Sequence, residues 1–147
     1  FNGHLCEPLA HVLHKLGSRH VMVVHGEDGL DELSINAPTR VAELKDGRVT
    51  NYKIAPEDVG LERATLDTLR VADAWQSLIT VRDVLAGRPS PASDIVAFNA
   101  GAALYVGGVR DTLQDGVTLA RDTLASGAAA QRLADIAAFT QQRAGAR

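Results

Sequence analysis

Apolar residues recur along this chain with two different periods, and each change of period marks an element boundary. From Leu9 they fall at Leu9, Val12, Leu13 and Leu16, the spacing of one helical face, with Pro8 suited to a first turn and Gly17 to a helix end. Val21 to Val24 is then a continuous apolar run between His20 and His25, short and rich in β-branched residues. Such a run predicts a strand buried on both faces, as in a parallel sheet. Thr39 to Leu44 and Arg48 to Ile54 alternate apolar with polar residues around Lys45-Asp46-Gly47, and the Asp-Gly pair predicts a β-hairpin over about 39–54.

Beyond Pro56 the period becomes helical. A helix is expected from about Asp73 to Leu85, closed by Gly87 and Pro89. Ser90-Pro91 supplies a cap and a first-turn proline for a long helix rich in alanine and glycine, whose small residues allow close backbone approach and a central position. Asp111 with Gln114 resembles a capping box ahead of a helix with Leu113, Val117, Ala120 and Leu124 on one face. Ser126 can cap a last helix bearing Leu133, Ile136 and Ala137, and residues 141–147 read as a frayed end. The fold class is therefore α/β: part of a mostly parallel sheet flanked by helices, with a helical C-terminal half.

Composition narrows the class further. The chain has 147 residues, 46% hydrophobic and 22% charged, as one soluble globular domain would. Its 18 acids and 15 bases leave a net charge of −3 with no basic stripe, which argues against a nucleic-acid partner. No stretch approaches the roughly 20 apolar residues of a membrane span, so no membrane partner is expected. The single cysteine, Cys6, allows no internal disulfide and fits a reducing compartment, the cytoplasm. A chain that begins at Phe1 without a methionine is expected to be processed or cut from something longer.

The chemistry concentrates after the first strand, where Gly26 to Ser34 holds four carboxylates and two glycines in nine positions. Asp31-Glu32 leads the candidates, because open α/β sheets place ligands beyond the carboxyl ends of their strands. Adjacent carboxylates suit magnesium, which takes one or two protein carboxylates and keeps waters or substrate phosphates. The plain alternative is a solvated acidic turn. Glu27 and Asp28 lie nearby with a weaker claim. His25 ends the strand beside this loop and could serve the site or simply the turn. Ser34 and Thr39 could donate to a phosphate or, as is commoner, shape the turn. Four of the five histidines, His11 and His14 on one helical face among them, lack the nearby cysteine or carboxylate partners of a zinc site. Cys6 has no activating neighbour, so an inert thiol is expected. Gly26, Gly29, Gly101, Gly107 and Gly108 build neither a Walker loop nor a dinucleotide fingerprint, so phosphate cradling by backbone amides is not encoded here.

The order Glu7-Pro8, Val23-Val24-His25-Gly26, Gly29-Leu30-Asp31-Glu32-Leu33-Ser34 and Pro38 to Leu44 resembles the anthranilate phosphoribosyltransferases. The likeness continues through Tyr52 to Leu61 and Asn99 to Val106, and so runs nearly the whole length. It implies a nucleoside phosphorylase/phosphoribosyltransferase-like fold, of which residues 1–147 are one incomplete C-terminal α/β segment. The helical N-terminal domain, the Gly-Thr-Gly-Gly-Asp pyrophosphate loop, the Lys-His-Gly-Asn segment and the anthranilate-contacting arginine would all lie upstream.

The resemblance implies transfer of a phosphoribosyl group from phosphoribosyl pyrophosphate to anthranilate in tryptophan biosynthesis, with Mg2+ held by Asp31 and Glu32 and no catalytic residue in this chain. The upstream segment of the same protein and, when complete, a second copy in a homodimer are the implied partners. The family's usual glycine pair and Glu-Asn-Ala segment are not matched near Val71-Ala72-Asp73-Ala74-Trp75, so no role of that segment is carried over to these residues. Two rivals remain: a related phosphoribosyltransferase or nucleoside phosphorylase with another acceptor, and a catalytically silent C-terminal fragment.

Overall fold

A computed structural model describes residues 2–145. Helix α1 (Cys6–Lys15) leads into strand β1 (Val21–Gly26), and β2 (Thr39–Lys45) and β3 (Arg48–Ile54) follow as a hairpin. Four helices complete the chain: α2 (Ala74–Leu85), α3 (Pro91–Val106), α4 (Leu113–Ala125) and α5 (Ala128–Gly145). The expected frayed end lies inside α5 as far as residue 145, and Ala146 and Arg147 fall outside the described residues.

The sheet corrects one expectation. Its order is β1-β2-β3 and both pairings are antiparallel, with Val23 opposite Ala42 and Ala42 opposite Asn51. No parallel strand occurs among the described residues, and Val21 to His25 are half-buried rather than enclosed. An apolar run reports burial but not the direction of its neighbour, and among the described residues β1 pairs with β2 alone. The hairpin is as expected: Asp46 and Gly47 take φ of 50° and 74°, the left-handed pair that a tight two-residue turn requires.

Side-chain alternation sorts the sheet's two faces. Ala42, with Val23 and Val49 beside it, packs against Cys6 and Ala10 of α1. Val24 and Ile54, on the opposite face, join Leu33, Val59, Leu61, Phe98 and Val117 in the main core under α3 and α4. A satellite core of Val84, Ala97, Ala120 and Leu124 ties α2 to these helices. The predicted apolar face of α1 is a second correction, since Leu9, Val12 and Leu16 are exposed and the helix buries Cys6 and Ala10 instead. The α5 face bearing Leu133 and Ile136 is exposed as well.

Caps set the helix starts. The Asp73 carboxylate accepts the Gln76 amide, and Ser90 and Ser93 exchange hydrogen bonds across the first turn of α3. Thr112, one residue later than expected, caps α4 by accepting the Asp115 amide at 3.1 Å. The small residues of α3 act as anticipated, because Gly101 lies against the α4 backbone at Gly116 and Val117.

Candidate functional site

The acidic loop begins with a turn that only glycine accommodates. A side chain at Gly26 would stand 2.6 Å from the Asp28 carboxylate, and Gly29 has φ of +97°. Backbone hydrogen bonds from Gly26 N–H to the Leu30 carbonyl and from Glu27 N–H to the Pro38 carbonyl close the loop's two ends.

Within it the four carboxylates divide into three roles. Glu27 turns to the sheet and pairs with Lys53 at 2.6 Å and Arg40 at 3.3 Å. Lys53 chiefly, against partial burial, holds its carboxyl below the ordinary value. Asp28 turns inward and accepts the Ser34 hydroxyl at 2.6 Å, the Asn36 amide at 3.1 Å and the Leu30 N–H at 3.3 Å. Burial pushes its pKa up, but these hydrogen bonds together outweigh burial and hold it below the usual value. Asp31 and Glu32 remain exposed, and neither side chain makes a hydrogen bond or ion pair with another described residue.

Those two sit on a crest whose foundations are fixed. Leu33, Ser34 and Ile35 directly after them are fully buried, and Thr39 Oγ1 accepts the Ser34 N–H at 3.0 Å. From α3, Asn99 Oδ1 accepts the Leu33 N–H at 2.9 Å while its Nδ2 donates to the Leu33 carbonyl at 2.9 Å. Glu32 also borders an apolar groove between α2 and α3 lined by Val81, Val84, Ile95 and Val96. Loss of water on that side, and then the Asp31 carboxylate beside it, push the Glu32 pKa up. Two unpaired carboxylates, one of them destabilised as an anion, form a donor set that a divalent cation relieves. No group of three or more His, Cys, Asp or Glu able to hold a metal occurs among the described residues. A pair of carboxylates could hold a hard cation such as magnesium only with further oxygens from water or a substrate, and is too few for a closed zinc site.

The other sequence candidates resolve differently. Ser34 and Thr39 are fully buried and committed to the turn, so neither faces a phosphate. His25 lines a polar hollow with Asn2, Gly3, His4, Glu27 and Arg40, which Asp31 and Glu32 do not share. Burial pushes the Cys6 thiol up despite the nearby Arg40 guanidinium, in keeping with an inert thiol. The divergent segment at 71–75 leads into α2 and leaves Trp75 exposed.

Sequence reasoning missed the buried Glu43 on β2, which is 8% exposed. Its carboxylate accepts His20 Nε2, the Tyr105 hydroxyl and the Tyr52 hydroxyl, each at 2.8 Å. Burial raises its pKa, and these three hydrogen bonds outweigh that effect and lower it. Burial and the same carboxylate push the Tyr52 hydroxyl well up. The signal was present in the alternation: Glu43 shares its sheet face with Val41, which faces the core.

With the geometry in place, known proteins supply the comparison. The family described as "Glycosyl transferase family, a/b domain" matches residues 1–130. The anthranilate phosphoribosyltransferase of Thioalkalivibrio sulfidiphilus is 59% identical over 140 residues, which is 95% of this chain and 41% of that protein. The crystal structure of the Thermus thermophilus anthranilate phosphoribosyltransferase superposes with a TM-score of 0.87 at 39% identity, covering 96% of this chain and 41% of its own. The Saccharomyces cerevisiae enzyme in complex with PRPP and Mg shares the fold at a TM-score of 0.66 and 22% identity, over 76% of this chain and 32% of its own. This chain spans about 41% of the length of the relatives it matches. By the extent of the family match and the agreement of fold, the chain belongs to the glycosyl transferase family through its α/β domain.

Proposed function

We propose that the whole protein containing this chain is a pentosyltransferase that moves the phosphoribosyl group of phosphoribosyl pyrophosphate to anthranilate, releasing pyrophosphate, in tryptophan biosynthesis. The observation that carries this reading is the anchored crest with Asp31 and Glu32 exposed and unpaired, in a chain whose relatives bear that activity in their names. In the reaction the anthranilate amine forms a bond to the anomeric carbon while the bond to pyrophosphate breaks with its electrons, and the proton then lost from the nitrogen passes to the released pyrophosphate or to water. The aromatic amine is largely unprotonated at neutral pH, so neither carboxylate is assigned as a base.

Asp31 and Glu32 would hold Mg2+, which when bound supplies neutralisation of the charge that develops on pyrophosphate. What this chain's own residues do is orientation. The buried run from Leu33 to Ile35 and the Asp28 turn keep both carboxylates on the solvent side of the loop. The exposed apolar residues Leu9, Val12 and Leu16 of α1 support packing by the upstream segment, which would bring the phosphate-binding loops and the acceptor site. A homodimer of the complete protein and a cytoplasmic location, in keeping with the lone Cys6 thiol, belong to the same reading.

The test is the double variant Asp31→Asn/Glu32→Gln in the complete protein. We expect turnover to fall at least about a hundredfold, since interactions of several kcal/mol with the developing charge are removed. Near-normal turnover at saturating Mg2+ would take the pair out of the mechanism.

A further inference from the structure

Asn99 lies inside α3, where asparagine is a poor helix former because its amide competes for backbone partners. Its partner lies 66 residues away in sequence. Oδ1 accepts the Leu33 N–H at 2.9 Å, and Nδ2 donates to the Leu33 carbonyl at 2.9 Å and to the Ile95 carbonyl at 3.0 Å. Only one orientation of the amide satisfies both Leu33 groups, since one is a donor and the other an acceptor.

Leu33 N–H belongs to the peptide unit that Glu32 begins. Holding it fixes the backbone that carries the Glu32 side chain, and the buried Leu33 side chain beside Phe98 prevents rotation about the anchor. On the other side of the pair, Asp28 ties Leu30 N–H to Ser34 and Asn36. Asp31 and Glu32 are therefore bracketed, with the α3 helix as the rigid member. The exposed pair is not held by hydrogen bonds or ion pairs of its own side chains with other described residues.

We propose that Asn99 is the positioning residue of the Asp31-Glu32 cation site, fixing from α3 the peptide on which the pair stands. The inference rests on the metal reading above and adds a residue that touches neither cation nor substrate. Its physical content is preorganisation: without the clamp, the crest must be ordered when the cation arrives, and the ordering lowers affinity.

The experiment uses the complete protein and Mn2+ as a paramagnetic stand-in for Mg2+, titrated in the presence of phosphoribosyl pyrophosphate. Asn99→Ala removes the whole clamp. Asn99→Ser guards against misfolding, because its hydroxyl can still bond the Ile95 carbonyl while releasing Leu33. Loss of two backbone hydrogen bonds predicts a Mn2+ affinity weaker by about tenfold. Amide exchange over residues 29–35 should quicken in the metal-free protein, and kcat should recover at saturating metal. In the Asp31→Asn/Glu32→Gln background, where remaining Mn2+ binds through the diphosphate, Asn99→Ser should weaken binding no further. Unchanged Mn2+ affinity in Asn99→Ser, or equal weakening in both backgrounds, overturns the inference and leaves the metal reading standing. Wild-type Mn2+ affinity in the carboxylate double variant overturns both.

Discussion

Replacing Gly101 by alanine sets two physical effects of opposite sign against each other. Gly101 lies within α3, and helix propensity alone favours alanine there by about 1 kcal/mol. Sterically the outcome reverses. A Cβ on Gly101 would stand 2.5 Å from the Val117 nitrogen, 2.6 Å from its Cγ2 and 2.7 Å from its Cα. Two of these three atoms are α4 backbone, so no rotamer change relieves the clash and the helices must move apart. Ala97, Phe98 and Val117, all essentially unexposed, lie along the seam that would open. Overpacking costs about 1–3 kcal/mol where neighbours can yield, and a backbone wall puts this site at the upper end. Net of the propensity gain, we expect about 2 kcal/mol of destabilisation, or a fall of roughly 3 °C in the Tm of a complete protein more than twice the length of this chain. Differential scanning calorimetry of the complete protein and its Gly101→Ala variant measures it. Gly145→Ala is the control, because no atom within 4 Å would meet its Cβ. An unchanged or raised Tm for Gly101→Ala, matching the control, would refute the close-packed seam.

Three further outcomes are expected. Glu43→Leu removes the acceptor of His20, Tyr52 and Tyr105 and should cost about 3 kcal/mol in urea unfolding, whereas Tyr52→Phe, which removes one of those three hydrogen bonds, should cost about 1 kcal/mol. Because the folded-state pKa of Glu43 is depressed from 4.5, its stabilisation is full above that value and is lost as pH falls through the lower folded-state value. Stability curves between neutral and acid pH should therefore show a shallower acid limb in Glu43→Gln, and an identical limb would count against the depressed pKa. Asp28→Ala removes the acceptor for Leu30, Ser34 and Asn36 and should speed proteolysis within residues 28–37 of the complete protein, read by limited digestion.

The sequence alone determined what depends on neighbours within about one helical turn. Asp73 and Ser90 cap the residues that follow them, Asp46-Gly47 closes its hairpin, and the glycine-punctuated acidic loop follows β1, because each signal and its partner lie a few residues apart. The one-residue error at Thr112 belongs here too, since Asp111 and Thr112 are both competent caps and only the chain's path selects between them.

Tertiary structure decided everything that depends on who arrives from a distance. The apolar run at 21–24 could not declare an antiparallel neighbour, because hydrophobicity has no direction along the strand. Nor could the loop declare which carboxylate is spent on Lys53, which on Ser34 and Asn36, and which two stay free, since all four are alike in sequence and differ only in what surrounds them. Glu43 gained its Tyr105 partner only when α3 came to it across 62 positions, and Asn99 its Leu33 partner only across 66. Burial turns these polar groups into obligate hydrogen-bonding partners, and burial is a property of the assembled layers that no local stretch of this chain contains.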